Sequence, residues 1–265
     1  MQSLDEQLTR CWAYYRLGLL GDVSRALRLA HALYREELPS LGAMAAANAT
    51  VELAMLDVIV GLVTAETAED LLRGGGALAE MVCDPTATCD DVHRLAGMAT
   101  AVHAGMRAGR FRAAQRHFRS TLAMAQGLIA DEAGSDEVCV LLGCAGLHMA
   151  QAAAICRDET TTHALLDHSD EAAATLGAEH ELLGQYFGPE HARATRSICY
   201  CVLGRLDESM AVGRDVNTDR LMPLMAATLL RTMADTAERN EGGGSATVLR
   251  ARADSLVPPL RQQFA

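Results

Sequence analysis

The sequence predicts an all-α fold: a right-handed superhelical stack of antiparallel helix pairs, with about twelve helices. Three observations carry this expectation. First, 47 of 265 residues are alanine, against 6 prolines and 4% aromatics. Alanine and leucine lose little side-chain freedom in a helix, and β-branched and aromatic residues are too scattered to build a large sheet. Second, apolar residues recur at the helical period along nearly the whole chain. Third, glycine and proline punctuate that pattern at short intervals and divide it into pairs. A β-sandwich, a doubly wound sheet and a disordered tail are excluded on composition, which also counts against collagenous and membrane classes. One helical repeat domain over 1–265 is expected, with a weaker sub-boundary near 83–89.

The elements follow in order. Leu4 to Leu20 and Val23 to Leu38 form a first pair, broken at Gly21-Asp22 and ended by Pro39. A helix from about Leu41 to Val63 precedes one from Ala65 or Thr67 to Val82, which Pro85 separates from the next. Thr88 to Asp91 supplies capping residues for a helix reaching Ala108, and Gly109 turns the chain into Phe111 to Ala130. Gly134-Ser135-Asp136 opens a helix ending near Arg157-Asp158, and Thr161 to Leu176 stops at Gly177, a C-cap. Ala178 to Gly188 is the least regular stretch. Pro189 is well placed to start a helix that Gly204 stops. Leu206 to Val216, Arg220 to Asn240 and Ala246 to Leu256 complete the set, with Glu241 to Ser245 as a flexible connector. Pro258-Pro259 ends regular helix.

Three turns share one local grammar. Leu17-Gly18-Leu19-Leu20-Gly21-Asp22 leads to Ala26, Arg107-Ala108-Gly109-Arg110-Phe111 to Ala114 and Phe118, and Cys201-Val202-Leu203-Gly204-Arg205-Leu206 to Ser209. A glycine closes one helix, and a small residue five positions later lets the next approach closely. Segments of this kind cannot bury their apolar faces alone and must stack.

Gly109-Arg110-Phe111-Arg112-Ala113-Ala114-Gln115-Arg116-His117-Phe118 resembles the turn and second helix of a tetratricopeptide repeat. Ala164 to Gly177, the Phe187-Gly188-Pro189 element and Leu203-Gly204-Arg205-Leu206-Asp207-Glu208-Ser209 resemble the C-terminal repeat region of actinobacterial helix-turn-helix transcriptional regulators. The similarity is greatest over 136–240, moderate over 90–130 and faint before that. It implies a tetratricopeptide-like α-solenoid with a regulatory role, binding a ligand or peptide on its concave face. No basic recognition segment matches that family's DNA-binding domain. His191 stands two residues after Pro189, where the family tends to have asparagine. Since helix pairs consume the length, the chain is expected to act through a ligand or a partner.

Charge points the same way. Acidic residues outnumber basic ones by 34 to 23, for a net charge of −11, and every basic residue is arginine. Phosphate-binding proteins normally present a basic face, so direct nucleic-acid binding is not expected. The densest basic stretch, Arg107, Arg110, Arg112, Arg116 and Arg119, reads as a solvated helix face. The polar, acidic N-terminal residues do not read as a secretory signal. The longest apolar stretch, Leu53 to Val63, is too short to span a bilayer. A cytoplasmic protein without membrane association is therefore expected, its eight cysteines reduced. Leu229, Leu230, Leu249, Leu256 and Leu260 must be capped or pair with a second chain, which makes a homodimer an expectation.

No phosphate loop, nucleophile elbow or metal-binding His-Glu-x-x-His is present. Cys199-x-Cys201 lacks zinc-knuckle spacing, so neither a metal nor a cofactor is expected, and cysteines including Cys11, Cys144 and Cys156 read as packing residues. No catalytic residue is assigned. The candidate ligand-binding residues lie on the first helices of the pairs: Asn48, Glu52, His103, Met106, His148, Gln151, His191 and Arg196. A histidine there can donate to a ligand carbonyl or act as a base. Met44, Met55, Met98, Met106, Met149, Met222, Met225 and Met233 read as core filling or as an adaptable apolar lining. The expected ligand is a small molecule or peptide, with a protein partner as a further expectation. The alternative is a biosynthetic enzyme enclosing an apolar substrate, with His103, His148, His191 and Glu52 as acid–base groups.

Overall fold

The computed structural model describes residues 3–64, 67–84, 86–130, 136–241 and 244–257. Among the described residues there are twelve α-helices: α1 (Leu4–Arg16), α2 (Leu20–Glu37), α3 (Ala43–Thr64), α4 (Ala68–Cys83), α5 (Asp91–Arg107), α6 (Phe111–Ala130), α7 (Asp136–Ile155), α8 (Glu159–Leu176), α9 (Pro189–Leu203), α10 (Leu206–Arg214), α11 (Pro223–Glu241) and α12 (Gly244–Leu256). One antiparallel hairpin, β1 (His180–Leu182) and β2 (Gln185–Phe187), lies between α8 and α9. The all-helical expectation therefore holds, and the irregular stretch before Phe187-Gly188-Pro189 is this hairpin. Ala65, Pro85, Gly134-Ser135, Gly242-Gly243, Pro258-Pro259 and Leu260 lie outside the described residues.

The helices pack as successive pairs, α1 with α2 through α11 with α12. The odd-numbered helices also touch one another in sequence, from α1 to α3 and onward to α9 and α11, so they form one layer. Helix starts are written in the sequence. Ser3 and Glu6 make a reciprocal capping box at α1, and the side chains of Thr67, Asp90 and Asp158 accept from backbone N–H groups at α4, α5 and α8.

One turn recurs four times. After α1, α5, α7 and α9 the chain enters the left-handed region at Gly18, Gly109, Arg157 and Gly204, with φ of +70°, +68°, +62° and +87°. In each case the following residue donates back to a carbonyl five positions earlier: Leu19 to Tyr14, Arg110 to Gly105, Asp158 to Ala153 and Arg205 to Tyr200. The next helix starts two residues after the turn residue. This corrects the first turn read from sequence: the break is at Gly18, and Gly21-Asp22 lie inside α2. The small-residue partner survives for the other two. Ser209 and Ser197 exchange hydroxyl-to-carbonyl bonds of 2.8 and 2.9 Å where α9 meets α10, and Ala114 is fully buried against α5. Arg157 fills a glycine position with a side chain, which costs about 1–2 kcal/mol in left-handed backbone. Arg157→Gly relieves that strain but gives up the guanidinium bond to the Val202 carbonyl, so it is expected to change stability by less than about 1 kcal/mol, whereas Gly109→Ala is expected to lower it by about 1–2 kcal/mol. Thermal melts of both variants check the difference.

The helix α7 packs against α5, α6, α8, α9 and both hairpin strands, and is accordingly apolar all round. It and α3 are long and apolar enough to cross a membrane by length and composition, with mean hydropathies of 1.8 and 1.6. In α7, 72% of the window is buried inside the protein, in α3 39%. The apolar stretch at 53–63 thus belongs to a helix that begins ten residues earlier. Of the eight methionines read from sequence, Met55, Met98, Met106, Met149 and Met233 are buried core residues, and Met44 is exposed. Cys156 is exposed rather than packed, whereas Cys11, Cys144, Cys199 and Cys201 are buried.

Candidate functional site

The site is assembled on α5, α7 and α9, at the face the hairpin partly covers. Helical spacing places Thr100, His103 and Arg107 on one side of α5, and Cys144, His148 and Gln151 on one side of α7. The two histidine rings stack, with centroids 4.1 Å apart and planes 11° from parallel. His191, in the first turn of α9, lies close enough to influence the charge of both. All three are half-buried.

A buried polar chain fixes this arrangement. Gln185 of β2 is 6% exposed and donates from Nε2 to Thr100 Oγ1 at 3.0 Å. Its Oε1 accepts from Cys144 Sγ at 3.2 Å, and Cys144 Sγ lies 3.6 Å from His148 Nε2. Because the thiol proton is directed at Gln185, the imidazole supplies the hydrogen at the sulfur contact. We assign the proton of His148 to Nε2 on this hydrogen-bond pattern, which leaves Nδ1 as the acceptor. That Nδ1 is buried and has no hydrogen-bond partner. An unsatisfied buried acceptor costs about 1–3 kcal/mol, and it is the exceptional feature of the site.

Electrostatics keep the face neutral. Burial pushes His103 down to about 3, helped by Arg107 and His191, and pushes His191 down to about 4. Burial holds His148 well below its ordinary value, with His103, His191 and Arg107 acting in the same direction. Burial raises the Cys144 thiol to about 12, so it is not a thiolate at neutral pH. Among the described residues no group of three His, Cys, Asp or Glu side chains has geometry that could hold a metal ion.

The hairpin is held from several sides. Its two central turn residues, Leu183 and Gly184, both have positive φ, the geometry favoured in two-residue hairpins. Gly184 lies against Trp12, where a Cβ would come within 2.3 Å of the indole. Arg16 bonds Glu181 at 3.0 Å. Phe187 is fully buried against Gly143 of α7, where a Cβ would meet the ring at 2.4 Å.

The other residues read from sequence fall elsewhere. Asn48 and Glu52 belong to a second polar network joining α1, α3 and α5. Asn48 Nδ2 donates to Asp90 Oδ2 at 2.8 Å, and Trp12 Nε1 donates to Glu52 Oε2 at 2.7 Å. His93 bridges Glu52 and Asp90 at 3.4 and 2.8 Å. Met106 is not on the histidine face: it packs in an apolar cluster with Val102, Ala114, Met149 and Ala152, flanked by Phe118 and Leu165. Arg196 ties α9 to α8, reaching Asp167 at 2.7 Å and Asp170 at 2.8 Å. Gln151 is half-buried one turn beyond His148. Thr100, Cys144 and Gln185 were not among the residues picked from sequence. Cys144 could have been found from its four-residue spacing to His148, Thr100 from its three-residue spacing to His103. Gln185 carries no local signal.

Comparison with protein-family models, with curated proteins and with solved structures gives no match.

Proposed function

We propose that the protein is a binding module that takes an uncharged small molecule at the histidine face, and that this face is the concave side of a right-handed, tetratricopeptide-like stack. The observation that carries the reading is His148 Nδ1, a buried acceptor with no partner, beside the stacked His103 ring. A ligand hydroxyl or amide N–H would satisfy it, with apolar contact supplying the rest. Three neutral imidazoles offer hydrogen bonds without charge, which suits an uncharged ligand. The hairpin occupies part of the same face, and this favours a compact molecule over an extended peptide. Binding is favoured over acid–base catalysis because imidazoles held this far below neutrality are weak bases, and the neighbouring thiol is protonated. The likeness to regulator repeat regions supports a regulatory output, in which ligand binding alters how neighbouring pairs sit against one another.

The test is a thermal-shift and calorimetric screen of uncharged hydroxyl- and amide-bearing compounds against the wild-type chain and a His148→Phe variant. Phenylalanine keeps the ring stack and removes the acceptor. A hit is expected to raise the wild-type melting temperature and to bind the variant at least tenfold more weakly, as for one lost hydrogen bond to a buried group. Equal binding by both proteins would remove His148 from the site. No ligand in such a screen, with unchanged histidine NMR signals, would count against the reading.

A further inference from the structure

Charge is segregated along this chain. Between Asp91 and Asp131 there is no acidic residue, and six arginines fall in that stretch. Between Arg157 and Arg193 there is no basic residue other than histidine, and eight acidic residues fall there. The first stretch supplies α5 and α6, the second α8 and the hairpin.

Arg107, Arg110, Arg112, Arg116 and Arg119 are all exposed. Arg112, Arg116 and Arg119 share one face of α6. Among the described residues none of the five has an ion pair, whereas Arg16, Arg25, Arg73, Arg193, Arg196 and Arg250 each hold a carboxylate. On α8, Asp158, Glu159, Asp167 and Glu171 are exposed. Arg196 is shared between Asp167 and Asp170, and Arg205 between Glu159 and Glu208, so the acidic stripe keeps a negative excess.

The two stripes are neighbours. Phe118 of α6 and Leu165 of α8 pack against the same cluster beneath, formed by Val102, Met106, Met149 and Ala152. Both are half-buried. Helices α5 and α6, and α7 and α8, are joined by short turns, while α5 and α7 lie side by side, so α6 and α8 run in the same direction. A two-fold axis parallel to both and between them would set each α6 over the α8 of another copy. Arg110 and Arg112 would then lie at the level of Asp158 and Glu159, and Arg119 at the level of Asp167, with Arg116 one turn before it. One operation satisfies both pairings, as a self-complementary interface requires. Two adjacent helices of this length present roughly 30 by 20 Å, near the ~800 Å² per partner of a stable interface.

We propose that a second copy of this chain docks here, the arginine stripe of α6 facing the acidic stripe of α8 in each direction and Phe118 and Leu165 lying along the seam. This goes beyond the ligand reading and uses none of its residues.

The test is sedimentation of the full chain at about 50 and 500 mM salt, since high salt screens exposed charges. Two chains of altered charge, called reversed below, are compared: Arg112→Glu/Arg116→Glu, and Glu171→Arg with a charge added by Ala164→Arg. Asp167 is left in place because it holds Arg196. The wild type is expected to be a dimer at low salt that weakens at high salt. Each reversed chain alone is expected to be a monomer, weakened about a hundredfold or more by facing like charges. Mixed one to one, the two reversed chains are expected to form a dimer again, because each acidic α6 then faces a basic α8. Circular dichroism confirms that both variants are helical. A wild-type monomer at low salt, a dimer indifferent to both reversals, or reversed chains that do not pair when mixed would each overturn the proposal. A wild-type monomer that retards a DNA duplex through the same arginines would overturn it too, and assign the stripe to phosphates.

Discussion

Phe187→Ala is expected to destabilise the protein by about 3–5 kcal/mol, the range for removing a fully buried aromatic ring from a core. The ring is completely enclosed and joins the hairpin to α7 at Gly143. It also anchors the strand that carries Gln185, so its loss should release the bonds to Thr100 and Cys144. Gly143→Ala attacks the same contact from the other side. Its methyl would lie 2.4 Å from the ring, and overpacking of this kind costs about 1–3 kcal/mol. The two effects should not add: with Phe187 already alanine, Gly143→Ala is expected to cost much less, because the space is free. Urea unfolding measures each value. Trp12, the sole tryptophan, packs against Gly184 at the hairpin tip, so its fluorescence reports whether the hairpin remains docked. A Phe187→Ala variant within 1 kcal/mol of wild type, with Trp12 fluorescence unchanged, would mean that the ring does not anchor the hairpin.

What the sequence disclosed follows from range. Helix ends depend on neighbours a few residues away, so Asp90, Gly177 and Gly204 could be read as caps and stops. Shared placement on first helices was equally local, and it drew His103, His148 and His191 into one group. Arg157 was harder, because an arginine in left-handed backbone has no compositional mark. Only the recurrence of the same hydrogen bonds reveals it. Met106 packs into an apolar cluster because a helix between neighbouring pairs has two buried sides. Periodicity places a residue on a face but does not say whether that face meets a neighbouring pair or solvent. Asn48 and Glu52 were taken for ligand contacts because polar residues on an inner helix suggest a site. Their partners Asp90, His93 and Trp12 lie up to 42 positions away in the chain, and those bonds absorb them. Gln185 depended on a hairpin that no periodic signal announces, and it reaches Thr100 across 85 positions.

Stability is expected to fall as the medium is acidified from about pH 6.5 to about pH 4, and the histidine face is the reason. His103, His148 and His191 are held below the ordinary histidine value of 6.5 in the folded protein, His103 at about 3 and His191 at about 4. In that window the unfolded chain takes up protons that the folded chain refuses, so acid draws the equilibrium toward unfolding. The contribution of these groups is fully present above pH 6.5 and is lost progressively below it. Each fully responding histidine changes stability by about 1.4 kcal/mol per pH unit, so three acting together reach about 4 kcal/mol per unit. His117, lowered chiefly by burial, acts in the same direction. His93 has the opposite sign. Burial alone would lower it, but its hydrogen bonds to Glu52 and Asp90 prevail and raise it. Its contribution is present below pH 6.5 and is lost as the pH rises through its folded value, so stability should be greatest near neutrality and decline on both sides. Replacing both stacked histidines by asparagine should flatten the acid limb and leave the alkaline limb unchanged, while Glu52→Gln should do the reverse. Urea midpoints between pH 4 and 8 distinguish these cases. An acid limb as steep in the double asparagine variant as in the wild type would show that the proton-linked loss arises outside the stacked histidine pair. If the limb flattens, the same neutrality that favours an uncharged ligand at this face is also what makes the fold sensitive to acid.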